Sequence, residues 1–183
     1  AWYGRPDLML AGNPLVVGNP SGKGYEDWIE AYVHAGVYGI TPISDKTYIY
    51  GSLSAMLTAS TGQELFTDET RSYFGVEEAY AGIVTGNTTE SGDRWTFNTN
   101  YGRQRFTLAD GFLIANTAFN GHDRAALQAN ARWAADALAL MQFRYNETKV
   151  ELFQVDPDEL PILDSKTKIN GITIAYSDRG TGL

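Results

Sequence analysis

The residue types that do catalysis are scarce in this chain. Its only histidines are His34 and His122. His34 could act as a base beside Ser52 or Ser54, but no Ser-His-acid motif is readable. Glu30 and Glu78 could serve as the paired carboxylates of glycoside hydrolysis. Two histidines so far apart, with no cysteine, give no metal-ligand spacing, so neither a metal nor another cofactor is expected. Residues 18–24, GNPSGKG, have the outline of a phosphate loop. They place Gly24 where Ser or Thr is required and put Pro20 inside it. A second kind of chemistry needs no catalyst. Arg103, Arg105, Arg132 and Arg144, with the acids Glu30, Glu78 and Asp110, are the charged groups that could meet a polar solute. Basic groups facing an acid set up a transverse field that orders and selects polar solutes.

Charge and composition narrow the partners. The net charge is −8 over 183 residues, with a pI near 4.7, so no nucleic-acid footprint is expected. The length suffices for one domain with a sizeable core. No apolar run is long enough for a transmembrane helix, a test that membrane β-barrels escape because only alternate strand residues face lipid. Ala1 could be the first residue after cleavage of a signal peptide.

The elements that position these groups read as strands. Residues 1–24 carry Gly and Pro at close spacing and are expected to be irregular. From Asp27 to Thr41, Ile29, Ala31, Val33, Ala35 and Val37 alternate with Glu30, Tyr32, His34, Gly36 and Tyr38. Period two means a strand with two distinct faces. A turn over Thr41–Lys46 leads to a second such stretch, Thr47–Ser60, whose polar face is Tyr, Ser and Thr with almost no Lys. Both exceed the usual strand of a soluble sheet and reach the length that crosses a bilayer at a tilt. Thr61–Tyr73 is a long polar connection. Ala79, Ala81, Ile83 and Thr85 then alternate with Tyr80 and Gly82. The turn Asn87–Asp93 follows, and Trp95, Phe97, Thr99 and Tyr101 alternate with Asn98 and Asn100. Strict alternation places Arg103 with Trp95 and Tyr101, so a bulge or the strand end is needed to turn it to the polar side. The loop that follows, residues 105–121, is long enough to be functional. Asp123–Tyr145 reads as a helix by itself, with Leu127, Ala131, Ala134, Leu138 and Met141 in a stripe. Between strands it is expected to form a hairpin turning at Ala134–Asp136. Lys149–Val155 reads as strand continuing the previous one or following a small bulge, and Lys168–Ser177 as a further strand, which makes seven or eight in all, about eight.

The segment EEAYAGI at 77–83, paired with a strand ending YGRQ at 101–104 and followed by the long loop, resembles the general porins of Gram-negative outer membranes. The resemblance implies an all-β antiparallel transmembrane barrel, with residues 1–183 in one barrel domain and the loop 105–121 folded into the lumen. It further implies that the chain is the N-terminal half of a barrel of about sixteen strands, and that the protein is a homotrimer in outer-membrane lipid. It places Arg103 at the narrow part of the pore, and implies that Arg105, Asp110, Arg132, Arg144, Glu30 and Glu78 line the passage with it. The expected function is then passive diffusion of small polar or anionic solutes, with no enzymatic activity. Arg132 and Arg144, sharing a face with Asn130 and Gln142, belong in the lumen, since a charge facing lipid at mid-bilayer costs about 2–4 kcal/mol. Trp28, Tyr38, Tyr48, Tyr50, Trp95, Tyr101, Trp133 and Tyr145 lie near strand ends or faces, where interfacial aromatic girdles would draw on some of them. The alternatives are a soluble β-sheet carbohydrate-binding module and a small lipid-modifying barrel enzyme.

Overall fold

The computed structural model describes residues 28–62 and 70–177. The irregular segment expected over residues 1–24 lies outside them. The described residues form one antiparallel sheet of seven strands in sequence order: β1 Trp28–Ser44, β2 Thr47–Gly62, β3 Arg71–Thr88, β4 Arg94–Arg105, β5 Ala134–Tyr145, β6 Thr148–Asp156 and β7 Ile169–Tyr176. Among the described residues β1 and β7 do not pair with each other, so the sheet is open at both edges. There is no α-helix among these residues, only a 3-10 turn at His122–Arg124.

Connections alternate in length. Asp45 and Lys46 join β1 to β2, residues 89–93 join β3 to β4, and Asn146 and Glu147 join β5 to β6. Residues 106–133 and 157–168 are the long connections. The short turns are fixed by local chemistry. Asn146 takes φ 50°, a conformation open to Asn, as a two-residue hairpin turn requires. Its side chain accepts from Arg94 N at 2.8 Å and donates to Asp93 Oδ1 at 2.9 Å, so one turn holds the next. Hydrogen bonds from Asn146, then Ser91 and Tyr145, hold the Asp93 carboxyl below its ordinary pKa.

Asp123–Tyr145 forms neither a helix nor a hairpin. Its first part is loop, and β5 starts at Ala134, where the turn was expected. Positive φ at Ala125, Ala126 and Asn130 breaks any helix there. The loop after β4 therefore runs on to residue 133, and Lys149–Val155 is a strand of its own.

The chain divides into two compact units. The first comprises Ala1–His34, Met56–Gly75 and Asn120–Ala131. Its described core holds Met56, Ala125 and Ala126. Strand side chains bind loop backbone there: Ala126 N donates to Ser60 Oγ at 2.7 Å, and Gln128 N and Ala129 N donate to Glu30 at 3.1 and 2.6 Å. Gly121, at φ 82°, fits against Leu127, whose side-chain carbons lie 2.7–3.2 Å from where a Cβ would stand.

The second unit comprises Ala35–Ala55, Val76–Phe119 and Arg132–Leu183. Its register sets out two faces row by row. On one face Trp95, Tyr145, Thr148 and Tyr176 form a row beside the short turns. Next comes Phe97, Phe143, Val150 and Ile174, then Ile83, Thr99, Met141, Leu152 and Ile172. On the edge strand Ile172 and Ile174 are 64% and 69% exposed; Ile83, Met141, Phe143 and Leu152 are 42–44% exposed, and Phe97 and Val150 are half-buried. The opposite face carries Tyr50, Asn98, Asn100, Gln142 and Glu151. The apolar core of this unit lies on that opposite face, where Phe106, Leu108 and Ile114 of the loop pack on Leu138, Phe153 and Val155.

Candidate functional site

The polar face of the second unit gathers the ionisable groups, and a change of alternation brings two of them there. Along β3 the covered positions are Tyr73, Gly75 and Glu77, then Glu78, Tyr80 and Gly82. The phase shifts between the two glutamates, so both carboxylates reach the same side, as an irregularity of bulge type allows. A second irregularity lies between β4 and β5, where Asp136 and Ala137 stand opposite Arg103 alone.

Glu77 is fully buried and Arg132 nearly so; Arg132 Nη2 lies 3.4 Å from Glu77 Oε2. Glu77 Oε1 also accepts from Trp133 N at 2.7 Å and from Ala134 N at 3.1 Å, which fixes the point where the loop re-enters the sheet. Arg132 Nη2 and Arg103 Nε both donate to the Val76 carbonyl, at 2.9 and 3.0 Å. Arg103 Nη1 binds Asp136 Oδ1 at 3.0 Å, and its Nη2 donates to Asp158 Oδ2. Asp158 in turn ties its own loop to the one after β4: its amide donates to Thr117 O at 2.7 Å and its carbonyl accepts from Phe119 N at 2.9 Å. The cluster balances two guanidinium groups against Glu77, Asp158 and Asp136.

Of the residues singled out from the sequence, Arg103 and Arg132 meet in this cluster. Arg105 and Glu78 meet separately, 3.6 Å apart, and Glu78 also accepts from Ser52 Oγ at 3.1 Å. Glu30 belongs to the first unit, on the loop backbone. Asp110 sits in a tight exposed turn, its carboxylate accepting from Phe112 N at 3.2 Å. Arg144 is exposed, close to the β5–β6 turn. Glu77, Asp136 and Asp158 were not anticipated. The one available signal was the Glu77-Glu78 doublet: within a regular strand one of two adjacent acids must face the apolar side, so the doublet itself calls for an irregularity.

Between the cluster and the short turns, amides dominate. Asn98, Gln142, Glu151 and Thr173 lie in one row across β4 to β7. Tyr50 Oη donates to Asn98 Oδ1 at 2.6 Å and accepts from Asn100 Nδ2 at 2.9 Å. Gly82 makes room for the Tyr50 ring, whose nearest atom lies 2.5 Å from where a Cβ would stand. Among the described residues no cluster of His, Asp and Glu is arranged to hold a metal ion. No helix among them is long and apolar enough to cross a membrane, which leaves crossing by strands open. No protein-family model matches this chain, and neither a curated protein nor a solved structure matches it significantly.

Proposed function

We propose that this chain forms all or part of an outer-membrane β-barrel that lets small polar solutes diffuse passively. The observation that carries the reading is the layered outer face of β4 to β7. Two apolar rows are bordered by the Trp95, Tyr145 and Tyr176 row on the side of the short turns. Contiguous exposed apolar surface beyond a few hundred Å² is rare on soluble monomers and marks contact with another apolar phase. Aromatic side chains edging an apolar band suit the boundary between lipid and water. Strands of 17, 16 and 18 residues, an up-and-down order, and connections alternating short and long support the same reading.

In this proposal the polar face lines the lumen, and the core formed with Phe106 and Ile114 seats the loop on it. Closure joins β1 to β7, directly or through further strands, and trimeric assembly follows from the resemblance to general porins. A preference for anions receives no support from the geometry. Arg103, Arg105 and Arg132 each lie within 4 Å of a carboxylate.

Extraction from membranes followed by planar-bilayer recording tests the reading. Detergent-dependent solubility with stepwise openings is expected. A protein that stays dispersed without detergent and never opens a pore overturns it.

A further inference from the structure

We infer that the polar face of the second unit carries a binding track for neutral polyhydroxylated solutes, of which short oligosaccharides are the fitting class. The inference deepens the channel reading and rests on it for the access of solute to this face.

The track is a continuous chain of side-chain hydrogen bonds across four strands. Gln104 Nε2 donates to Asn100 Oδ1 at 2.7 Å, and Asn100 leads to Tyr50 and Tyr50 to Asn98, as described above. Asn98 Nδ2 then donates to Gln142 Oε1 at 3.0 Å, and Gln142 Nε2 to Glu151 Oε2 at 2.5 Å. Each link fixes the orientation of an amide without exhausting it. A side-chain amide has two N–H donors and two acceptor lone pairs, and Asn98 and Gln142 each spend one donor and one acceptor on the chain. What each retains is one donor beside one acceptor, the pattern that a hydroxyl group, itself both donor and acceptor, satisfies. Thr173 extends the row past Glu151 and adds a hydroxyl to its line of polar side chains.

Charge argues for a neutral ligand. The track itself holds one carboxylate, Glu151, and Lys149 Nζ lies 3.2 Å from it. Tyr50 and Tyr80, with ring centroids 6.3 Å apart at 72°, add aromatic surface beside the amides. Polar groups fixed in place with aromatic surface between them are what a small-molecule site uses to orient a ligand, and hydrogen-bonding groups along a pore set its selectivity.

The test is calorimetric titration of the full chain in mild detergent, with maltotriose as a neutral probe and trigalacturonate as an anionic one, alongside bilayer recording of the same preparation. Maltotriose is expected to bind at about millimolar Kd or tighter, and trigalacturonate about tenfold more weakly, a gap of one hydrogen bond's size or slightly more. Tyr50→Phe keeps the ring over Gly82 and removes the hydroxyl that joins Asn98 to Asn100; it should weaken maltotriose about three- to tenfold. Asn98→Leu with Gln142→Leu should abolish detectable binding. No heat with maltotriose, or trigalacturonate binding as tightly, overturns the track even where channels open. Maltotriose binding without any conductance leaves the track standing and overturns the channel. The comparison of the two sugars uses the unaltered protein, so it holds even where a variant fails to fold.

Discussion

Glu77 and Arg132 form an ion pair, 3.4 Å apart, with 0% and 2% of their side chains exposed. The pair joins the middle of β3 to the end of the long loop. Glu77 additionally binds the amides of Trp133 and Ala134. Removing one member of a buried pair strands the other charge, at a cost of about 3–5 kcal/mol. Glu77→Ala and Arg132→Ala are each expected to lower unfolding free energy by that order. The double variant should lose less than the sum, because the two share one interaction. Denaturant unfolding followed by tryptophan fluorescence measures all three, and strict additivity would show that the pair is not coupled.

Arg105 and Glu78 behave differently because Arg105 is half exposed. An ion pair of this kind contributes at most about 1 kcal/mol. Arg105→Ala should therefore leave the fold intact while uncovering the negative charge of Glu78. In the channel reading the ratio of cation to anion permeability then rises, by up to about fivefold for a shift of that size. Arg103→Ala should instead cost stability, since its guanidinium is engaged with Asp136, Asp158 and Val76 O. Reversal potentials in a salt gradient separate the two. A large selectivity change in Arg103→Ala with none in Arg105→Ala would reverse the assignment.

The acid side of the pH profile should report Asp93. Hydrogen bonds from Asn146, Ser91 and Tyr145 lower its pKa in the folded state. The unfolded value is about 3.9. A lowered folded pKa means that the unfolded chain takes up the proton first as pH falls. The contribution to stability is full above the unfolded value and is lost as pH falls through the folded one. Asp93→Asn should flatten the stability profile below about pH 4, where the ordinary carboxylate titrates. An unchanged acid limb would remove Asp93 from the account.

The strands were legible because alternation is local: the faces of β2 and β4 can be read directly from their residues. So was the β3–β4 turn, whose Ser91, Gly92 and Asp93 favour one. The loop was harder, because its partners are remote in sequence. Residues 123–133 are rich in Ala and read as helix, yet their amides go to Ser60 and Glu30 on strands far earlier in the chain. Long-range acceptors of this kind override helix propensity. Arg103 illustrates the same limit. Its rank in the alternation pointed outward, whereas the irregular pairing opposite it and the carboxylates of Asp136 and Asp158 decide where its guanidinium goes.

Gly82 gives a test of the polar face that removes no polar group. A Cβ there would lie 2.5 Å from the Tyr50 ring and 2.7 Å from Asn100 Cβ. Gly82→Ala must push Tyr50 aside, and overpacking of this kind costs about 1–3 kcal/mol. The Tyr50 link to Asn98 and Asn100 should break with it, so maltotriose binding should fall together with stability. Stability lost while binding is retained would place the ligand away from Tyr50.

The outer face supplies the sharpest division between a membrane barrel and a soluble sheet. Leu152 and Thr148 lie on the same face of β6, four residues apart, Leu152 in an apolar row and Thr148 in the row of Trp95, Tyr145 and Tyr176. In a bilayer these rows sit at different depths. Arginine on the lipid face costs about 2–4 kcal/mol near the midplane and about 0–1 near the interface. Leu152→Arg should therefore fold into liposomes far less favourably than Thr148→Arg, by a free energy readable from denaturant titration in lipid. In a soluble sheet, surface substitutions away from special features fall within about 0.5 kcal/mol. Leu152 is 44% exposed, so there its replacement would resemble that of Thr148. Equal effects at the two positions would sink the membrane reading. A steep difference between them follows from depth in lipid and has no counterpart on a face bathed uniformly by water.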